Sequence, residues 1–540
     1  MAHTSDGVIL VTRKTANLIF GLILVLYLLY AARFIDRTSF VVEGERYFVL
    51  FDDAMISMRY AKNLADGFGP VWNPGGERVE GFTNPLWTGI MALVHLLPLP
   101  LSKMSLPVQI LGALILSTNL YFVKKIGEEI TDSPGLALLA VFLTAFYFSL
   151  NNWTLQGMEV GLIALLISIS LWVVLRNLKN HTFSPAPYLI LGLASWVRLD
   201  ASVAFLAILL FLAVFDPQHR RQHLIWGISL FVGFFAVQTL ARLAYYGEPL
   251  PNTYYLKMGG YSLFDRVQRG LLVYGQFVWT MNWFLFLIPF TVLLTRLDLQ
   301  TGLLLFIFLA QSAYSVYVGG DAWEHKGGAN RFISVAMPGF FIVFVLALDL
   351  IRQAILKYIQ ENRVWVQRLT QFALLVIVVT SLFSFNMLLE QDSFRKWSTI
   401  KRPIFVTGNE EHTKTGLAIR EFTTEDASIA VVSAGAISYF SERISIDLLG
   451  KADKVIAQGD PRPIRGISDD ADFRPGHNKW DYAYSIGQLQ PDLVVQLWSN
   501  SEEAMPYLEN DYVVIKVGEL SMYAKKDSPN ILWENITSNE

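Results

Sequence analysis

The sequence predicts a polytopic α-helical membrane protein that carries a soluble α/β domain at its C-terminal end. Three observations point there. Of 540 residues, 53% are hydrophobic and only 16% charged, whereas soluble domains carry about 25% charged residues. Apolar runs of spanning length recur throughout the first 389 residues. Beyond residue 390 the charges return and short strand-like runs replace the long apolar ones. The mean hydropathy of +0.39 agrees. The same composition excludes several classes. A net charge of -3 provides no basic field for a nucleic acid. With no cysteine there is no disulfide, zinc-thiolate site or cysteine nucleophile.

About eleven spans are expected, at 16–32, 106–123, 134–150, 158–175, 186–198, 200–214, 223–243, 272–295, 300–318, 332–350 and 369–388. The pair at 186–214 is short for a hydrocarbon core of about 30 Å. The run at 84–100, with prolines at 85, 98 and 100, is expected to lie in the interface without crossing. This topology is tested by charge. Arg13 and Lys14, Lys124 and Lys125, Arg176 and Lys179, Arg220 and Arg221, Arg296, and Arg352 to Arg368 then all fall in cytoplasmic segments, as the positive-inside rule requires. The expected organisation is a membrane domain over 1–389, with an outer loop at 33–105, and an extracytoplasmic domain over 390–540. The N-terminus is cytoplasmic and the bilayer is the cytoplasmic membrane. SIAVVS (428–433), RISID (443–447), PDLVVQLW (491–498), YVVIKVG (512–518) and SMYAKK (521–526) read as strands, with a helix near 412–424.

The unusual polar residues then gather on one side. Asp52 and Asp53 open a segment in which Met55, Ile56, Tyr60 and Leu64 recur at helical spacing and Gly67 marks the end. One aspartate serves as an N-cap, but the second needs another reason. A helix N-terminus also keeps a carboxylate ionised. WNPGGERVEGFTNPLW (72–87) is a loop with Glu80 and Asn84 between tryptophans. Glu159 begins a span, and Arg198 and Asp200 sit between two apolar runs. GEPLPNTYYLKMGG (247–260) carries Asn252, Tyr255 and Lys257. GGDAWEHKGGANRF (319–332) carries Asp321, His325, Lys326 and Arg331 among four glycines, which suits a site loop better than a plain connector. Arg198, Lys257, Lys326 and Arg331 form a set of cations suited to a lipid-linked phosphate. No G-x-x-x-x-G-K-[ST] or H-E-x-x-H occurs.

The aspartate pair in the first outer loop, followed by an interface helix and many spans, resembles the GT-C superfamily of membrane glycosyltransferases. FDDAMISMRYAKNLADGFGPVWNPGGERVEGFTNPLW (51–87) is similar to the terminal β-(1→2)-arabinofuranosyltransferase family of actinobacterial cell walls and its bacterial relatives. PNTYYLKM, GGDAWEHKGGANRF and PGHNKWDYAY (475–484) resemble further motifs of that family in the same order. The resemblance implies a GT-C-like membrane domain and a polyprenyl-phosphate sugar donor, arabinofuranosyl being favoured. The acceptor is then a glycan, a lipid-linked glycan or a protein. Asp52 or Asp53 takes the catalytic position, as base, nucleophile or oxocarbenium stabiliser. Arg198, Lys257, Arg331 and Lys326 take the donor phosphate. Arg59, Glu80, Asn84, Glu159, Asn252, Tyr255, Asp321, His325, His477 and Trp480 are candidate substrate contacts. No cofactor is required, although paired carboxylates leave room for a divalent metal. The competing reading is a transporter or flippase, which needs polar groups near mid-membrane and access from both sides.

Overall fold

A computed structural model describes residues 12–296, 298–324, 330–358, 364–387, 392–464, 473–517 and 520–536. Two expected site residues, His325 and Lys326, lie outside the described residues.

The chain begins with α1 (Arg13–Thr38), 26 residues long, whose N-cap Thr12 accepts a hydrogen bond from the Thr15 amide. A hairpin follows, β1 (Phe40–Val42) against β2 (Glu45–Tyr47). The chain continues with α2 (Asp52–Ala65) and α3 (Pro85–His95). At 11 residues, α3 is about 16 Å long, too short to cross a bilayer, as the prolines around it indicated.

The membrane portion then runs through α4 (Ser105–Thr131), α5 (Pro134–Ala145), α6 (Phe148–Leu155), α7 (Val160–Asn180), α8 (Ala186–Val197), α9 (Ser202–Phe215) and α10 (Arg220–Tyr246). After the short α11 (Asn252–Met258) come α12 (Leu263–Thr280), α13 (Trp283–Leu287), α14 (Val292–Thr295), α15 (Leu299–Tyr317), α16 (Arg331–Ser334), α17 (Met337–Tyr358) and α18 (Val364–Phe385). Among the described residues, seven helices are individually long and apolar enough to cross a membrane. Two bent pairs, α5 with α6 and α12 with α13–α14, bring the number to nine. The expected pair at 186–214 is present as two shorter apolar helices, α8 and α9.

The α5–α6 break, bent by 52°, has no proline or glycine at its centre. A broken helix in an apolar layer must satisfy its freed backbone groups internally. Asn386 does so: its amide nitrogen donates to the Phe146 carbonyl (3.0 Å) and its oxygen accepts from the Phe148 amide (2.7 Å). The Trp397 indole nitrogen donates to the same Phe146 carbonyl (2.8 Å). Thus the far end of α18 supports a bend nearly 240 residues earlier.

After α19 (Ser393–Trp397) and α20 (Val406–Phe422), the C-terminal region builds a mixed five-stranded sheet. Its strands are β3 (Ser428–Val431), β4 (Ile444–Asp447), β5 (Leu493–Val494), β6 (Tyr512–Val517) and β7 (Leu520–Lys525), in the spatial order β4-β3-β5-β7-β6. β3 runs parallel to β4 and β5, while β7 is antiparallel to β5 and β6. The expected strand at 491–498 reduces to two residues. Beyond it the chain leaves the sheet, and the Gln496 side chain accepts from the Val432 and Ser433 amides in place of a strand carbonyl.

This domain is joined to the segment between α1 and α4 through its core. Ile56, Tyr60, Trp72 and Phe82 share one hydrophobic cluster with Ile419, Ile429, Ile437 and Leu493. On the opposite side of α2, Met55 and Met58 belong to the membrane-helix core. The exposed edge of β4 is covered as well. The Asn73 side chain donates to the Ser445 carbonyl (2.9 Å) and accepts from its amide (3.0 Å), imitating a neighbouring strand.

Candidate active site

Several helix ends and one soluble loop converge on a cavity of about 190 Å³ between the membrane helices and the C-terminal domain. Its described lining includes four carboxylates, Asp53, Glu159, Asp200 and Asp321, and four cations, Arg198, Lys257, Arg331 and Lys451. Every one of them comes from a segment assigned to the outer side.

The two adjacent aspartates have different surroundings. Phe51 precedes α2 and packs against Trp153, Trp323 and Phe405, with ring centroids 5.4, 5.3 and 4.6 Å away. That cluster fixes where the helix starts. Asp53 lines the cavity, 2.7 Å from Lys451 Nζ and 3.5 Å from an Arg331 Nη. Burial pushes its pKa up, but Lys451, Arg331 and Lys257 more than reverse this and hold it well below the usual carboxylate range. Asp52 is absent from the cavity wall. It accepts the Ala436 amide at 2.8 Å and the Gly435 amide at 3.2 Å, at the start of α21 (Ala436–Ser441). His412 Nδ1 lies 3.6 Å from the same carboxylate. Burial raises its pKa, and His412, Lys451 and the Ala436 amide together bring it below the ordinary value. Gly435 is needed here, because a Cβ would lie 1.9 Å from the Asp52 carbonyl oxygen.

The inner wall is an arginine enclosed by carboxylates. Arg198 donates from Nε and one Nη to the two Asp200 oxygens, and from the other Nη to Glu159 at 2.6 Å. Glu159, the N-cap of α7, also accepts from the Asn84 amide at 2.8 Å. Asn84 in turn accepts from the Ser57 hydroxyl at 2.9 Å. Each of the three Arg198 nitrogens donates to a carboxylate, so Arg198 braces this wall. Arg331 is bound bidentately by Asp321 at 2.7 and 2.8 Å. It lies 4.9 Å from the Trp153 ring and keeps one Nη turned to Asp53. Arg331 raises the electrostatic cost of protonating Asp321, whose pKa is lowered despite burial.

The outer wall is different. Lys257, on α11, lines the cavity and has no ion pair or side-chain hydrogen bond among the described residues. Burial and then Arg331 push its pKa down to about 8, against the pull of Asp53. Lys451 comes from the turn after β4.

Seven expected residues therefore meet in the cavity: Asp53, Asn84, Glu159, Arg198, Lys257, Asp321 and Arg331. Seven do not line it, and their partners explain why. Asp52 docks α21. Arg59 is buried under the C-terminal domain, where it donates to Trp72, Ser438 and Arg443 carbonyls and to Asn73. Glu80 pairs with Arg242 at 2.6 Å. Asn252 donates to the Gly450, Lys451 and Asp453 carbonyls. The Tyr255 hydroxyl reaches Glu248. His477 is wedged between Trp323 and Trp498. Trp480 is core, beneath Arg462. Among residues outside the expected set, Lys451 is the important one. Its signal, a lone lysine after Leu-Leu-Gly in a soluble segment, is invisible without the fold. Among the described residues, no three His, Cys, Asp or Glu side chains converge as metal ligands.

The fold is shared with solved membrane proteins of other sources. It matches ArnT from Cupriavidus metallidurans bound to undecaprenyl phosphate with a TM-score of 0.56, 11% identity, and coverage of 96% of this chain and 99% of that one. It matches the Archaeoglobus fulgidus oligosaccharyltransferase AglB, in complex with an inhibitory peptide and a dolichol-phosphate, with a TM-score of 0.56 and 11% identity over 94% of this chain and 75% of that one. In sequence, the chain is similar to two terminal β-(1→2)-arabinofuranosyltransferases. That of Mycobacterium tuberculosis is 25% identical over 244 residues, 42% of this chain and 37% of the relative. That of Corynebacterium glutamicum is 32% identical over 127 residues, 23% of this chain and 18% of the relative. The matched stretches thus span well under half the length of either relative. Residues 399–530 match a domain of unknown function, DUF8728.

Proposed function

We propose that the chain is a membrane glycosyltransferase that moves a sugar from a polyprenyl-phosphate donor to a glycan, lipid-linked glycan or protein at the outer face of the cytoplasmic membrane. An arabinofuranosyl donor is favoured by the two sequence relatives. The observation that carries this reading is the cavity in which one carboxylate, Asp53, faces Lys257, Lys451 and Arg331. A cavity of this kind matches the needs of the reaction. The bond from the anomeric carbon to the phosphate oxygen breaks, and its electron pair leaves with the phosphate. The acceptor oxygen bonds to that carbon, and its proton passes to a carboxylate. Asp53 is the residue for that proton, because it alone of the pair faces the cavity. Lys257 and the Arg331 Nη that faces Asp53 hold the leaving phosphate, whose charge grows as the bond breaks. Asp321 fixes the Arg331 fork so that its orientation is set before the donor arrives.

In this reading protein cations take the charge of the leaving group, so transfer is expected to survive a chelator. The carboxylate-rich wall around Glu159, Asp200 and Asn84 offers acceptors and one amide to sugar hydroxyls. The test is transfer from radiolabelled polyprenyl-phosphate arabinofuranose to membrane-derived acceptor. Incorporation by wild type and its loss in Asp53→Ala supports the reading. Label that crosses proteoliposomes without covalent product supports transport instead.

A further inference from the structure

Asp53 presents a chemical difficulty. A carboxylate pinned by an ammonium at 2.7 Å and a guanidinium at 3.5 Å is a poor acceptor for a hydroxyl proton. Something must loosen that grip when substrate is present, and the geometry identifies which cation can move. Arg331 is tied to Asp321 by two parallel hydrogen bonds and rests against Trp153. A planar fork held in this way does not turn. Lys451 is held to Asp53 through a single ammonium contact on a flexible four-carbon stem.

The backbone beneath Lys451 is fixed. The Asp447 carboxylate accepts from the Leu449 and Ala452 amides at 3.0 and 2.9 Å. From the membrane side, the Asn252 amide donates to the carbonyls of Gly450, Lys451 and Asp453 at 2.9, 3.1 and 3.0 Å. Two independent clamps on one six-residue turn are more than a connector needs. They aim one lysine of the C-terminal domain into a cavity otherwise built mainly from the membrane part. Charge balance adds to this. Arg331 is neutralised by Asp321, and Arg198 by Glu159 and Asp200. At the mouth, Asp53 faces two lysines, Lys257 and Lys451, a local excess of one positive charge that the second carboxylate beside Arg198 balances on the opposite wall.

We propose that Lys451, paired here with Asp53, is a ligand for the donor phosphate, so that donor binding draws Lys451 away and frees Asp53 for the acceptor. The proposal rests on the glycosyltransferase reading. The phosphate is a stronger anion partner than a carboxylate already shared with Arg331, and Lys257 provides its first contact. As Lys451 leaves, the proton affinity of Asp53 rises. The acceptor hydroxyl then bonds to the anomeric carbon, its proton moves to Asp53, and the phosphate departs with the electron pair of the broken bond. Carboxylate activation is thereby coupled to donor occupancy, which limits wasteful attack by water. The other titratable groups around Asp53 are Arg331 and Lys257 from the membrane part and Arg474 and His477 from the C-terminal domain, the histidine held neutral by burial. Asp52, its neighbour, is occupied with the Gly435 and Ala436 amides.

The test is a double-mutant cycle on undecaprenyl phosphate binding to the purified full chain in nanodiscs. Lys451→Gln is expected to weaken binding at least tenfold. Asp53→Asn removes the rival anion and is expected to tighten binding about fivefold when Lys451 is present, and less than twofold in the Lys451→Gln background. Equal effects of Asp53→Asn in both backgrounds, or wild-type binding by Lys451→Gln, overturn the proposal. Should Lys451→Gln not yield a monodisperse protein, Lys451→Arg replaces it. A guanidinium releases Asp53 less readily, so binding is expected to fall at least threefold with an unchanged melt, and wild-type binding overturns the proposal. Absence of binding by wild type overturns the glycosyltransferase reading itself.

Discussion

The two walls of the cavity hold their charges in opposite ways. On the inner wall Arg198 is enclosed by Glu159 and Asp200, and each of its three nitrogens donates to a carboxylate. On the outer wall Lys257 has no ion pair or side-chain hydrogen bond among the described residues, and Lys451 hydrogen-bonds to a single carboxylate. The inner set is structural: its buried side chains join α7 to the α8–α9 junction. The outer set is poised for a ligand. The number of charges at a site therefore says less than whether their donors are already committed. Arginines with matched carboxylates hold a wall in place, and lysines left short of partners receive an anion.

Breaking Asp53 is expected to have the largest effect. Asp53→Asn should lower transfer by about 10²–10⁴-fold, the range for removing a proton-transfer group, with protein yield and melting temperature retained. A rate within threefold of wild type would assign the proton to another group. Next comes the inner wall. Arg198→Met strands two buried carboxylates, and a pair broken on one side costs about 3–5 kcal/mol. It should melt much earlier than wild type, or fail to accumulate. Lys257→Met should not lower the melt, since it removes a buried charge, and should reduce undecaprenyl phosphate binding. If both variants melt alike, the two walls do not differ as argued.

The neighbouring aspartate sharpens the contrast along the helix. Asp52→Ala removes two charge-assisted bonds to the Gly435 and Ala436 amides. One such bond contributes about 1.5–3 kcal/mol, so the C-terminal domain should become more sensitive to protease while some transfer persists.

The smallest effect is one of pH. The Lys257 pKa is pushed down to about 8 from 10.5, by burial first and then by Arg331. Phosphate binding needs the ammonium, so affinity should fall as pH rises through 8, by up to tenfold per unit, and the fall should be absent in Lys257→Met. The stability effect has the opposite sign. Between pH 8 and 10.5 the unfolded lysine binds a proton that the folded one has released, so this group's contribution to stability rises with pH there. A stability scan in which the wild type does not gain on Lys257→Met over that interval would contradict the assignment.

Much of the fold was legible because hydropathy is a local property. Each expected span appears as an apolar helix or bent pair, and the interface helix at 85–95 is too short to cross. The helix at 52–65 and the strands β3, β4, β6 and β7 lie where period and β-branched residues placed them. The α5–α6 bend was not legible, since its support is Asn386. Neither was the shared core, in which Ile56, Tyr60, Trp72 and Phe82 join residues more than 330 positions away. Within the site, motif placement brought Asp53, Asn84, Glu159, Arg198, Lys257, Asp321 and Arg331 to the cavity wall. It also nominated Arg59, Asn252 and His477, whose polarity is spent on carbonyl groups and aromatic packing at the domain boundary. A polar residue in a motif looks the same whether it faces a substrate or holds a turn.

The sequence by itself determined that this is a many-span membrane protein whose unusual polar residues share one side, because burial in lipid selects composition directly and leaves its mark residue by residue. Only the tertiary structure decided which aspartate faces the cavity, which arginine is already neutralised, and that Lys451 of the C-terminal domain completes the outer wall. Those outcomes depend on which donors and acceptors meet across long sequence separations, and no local pattern records that.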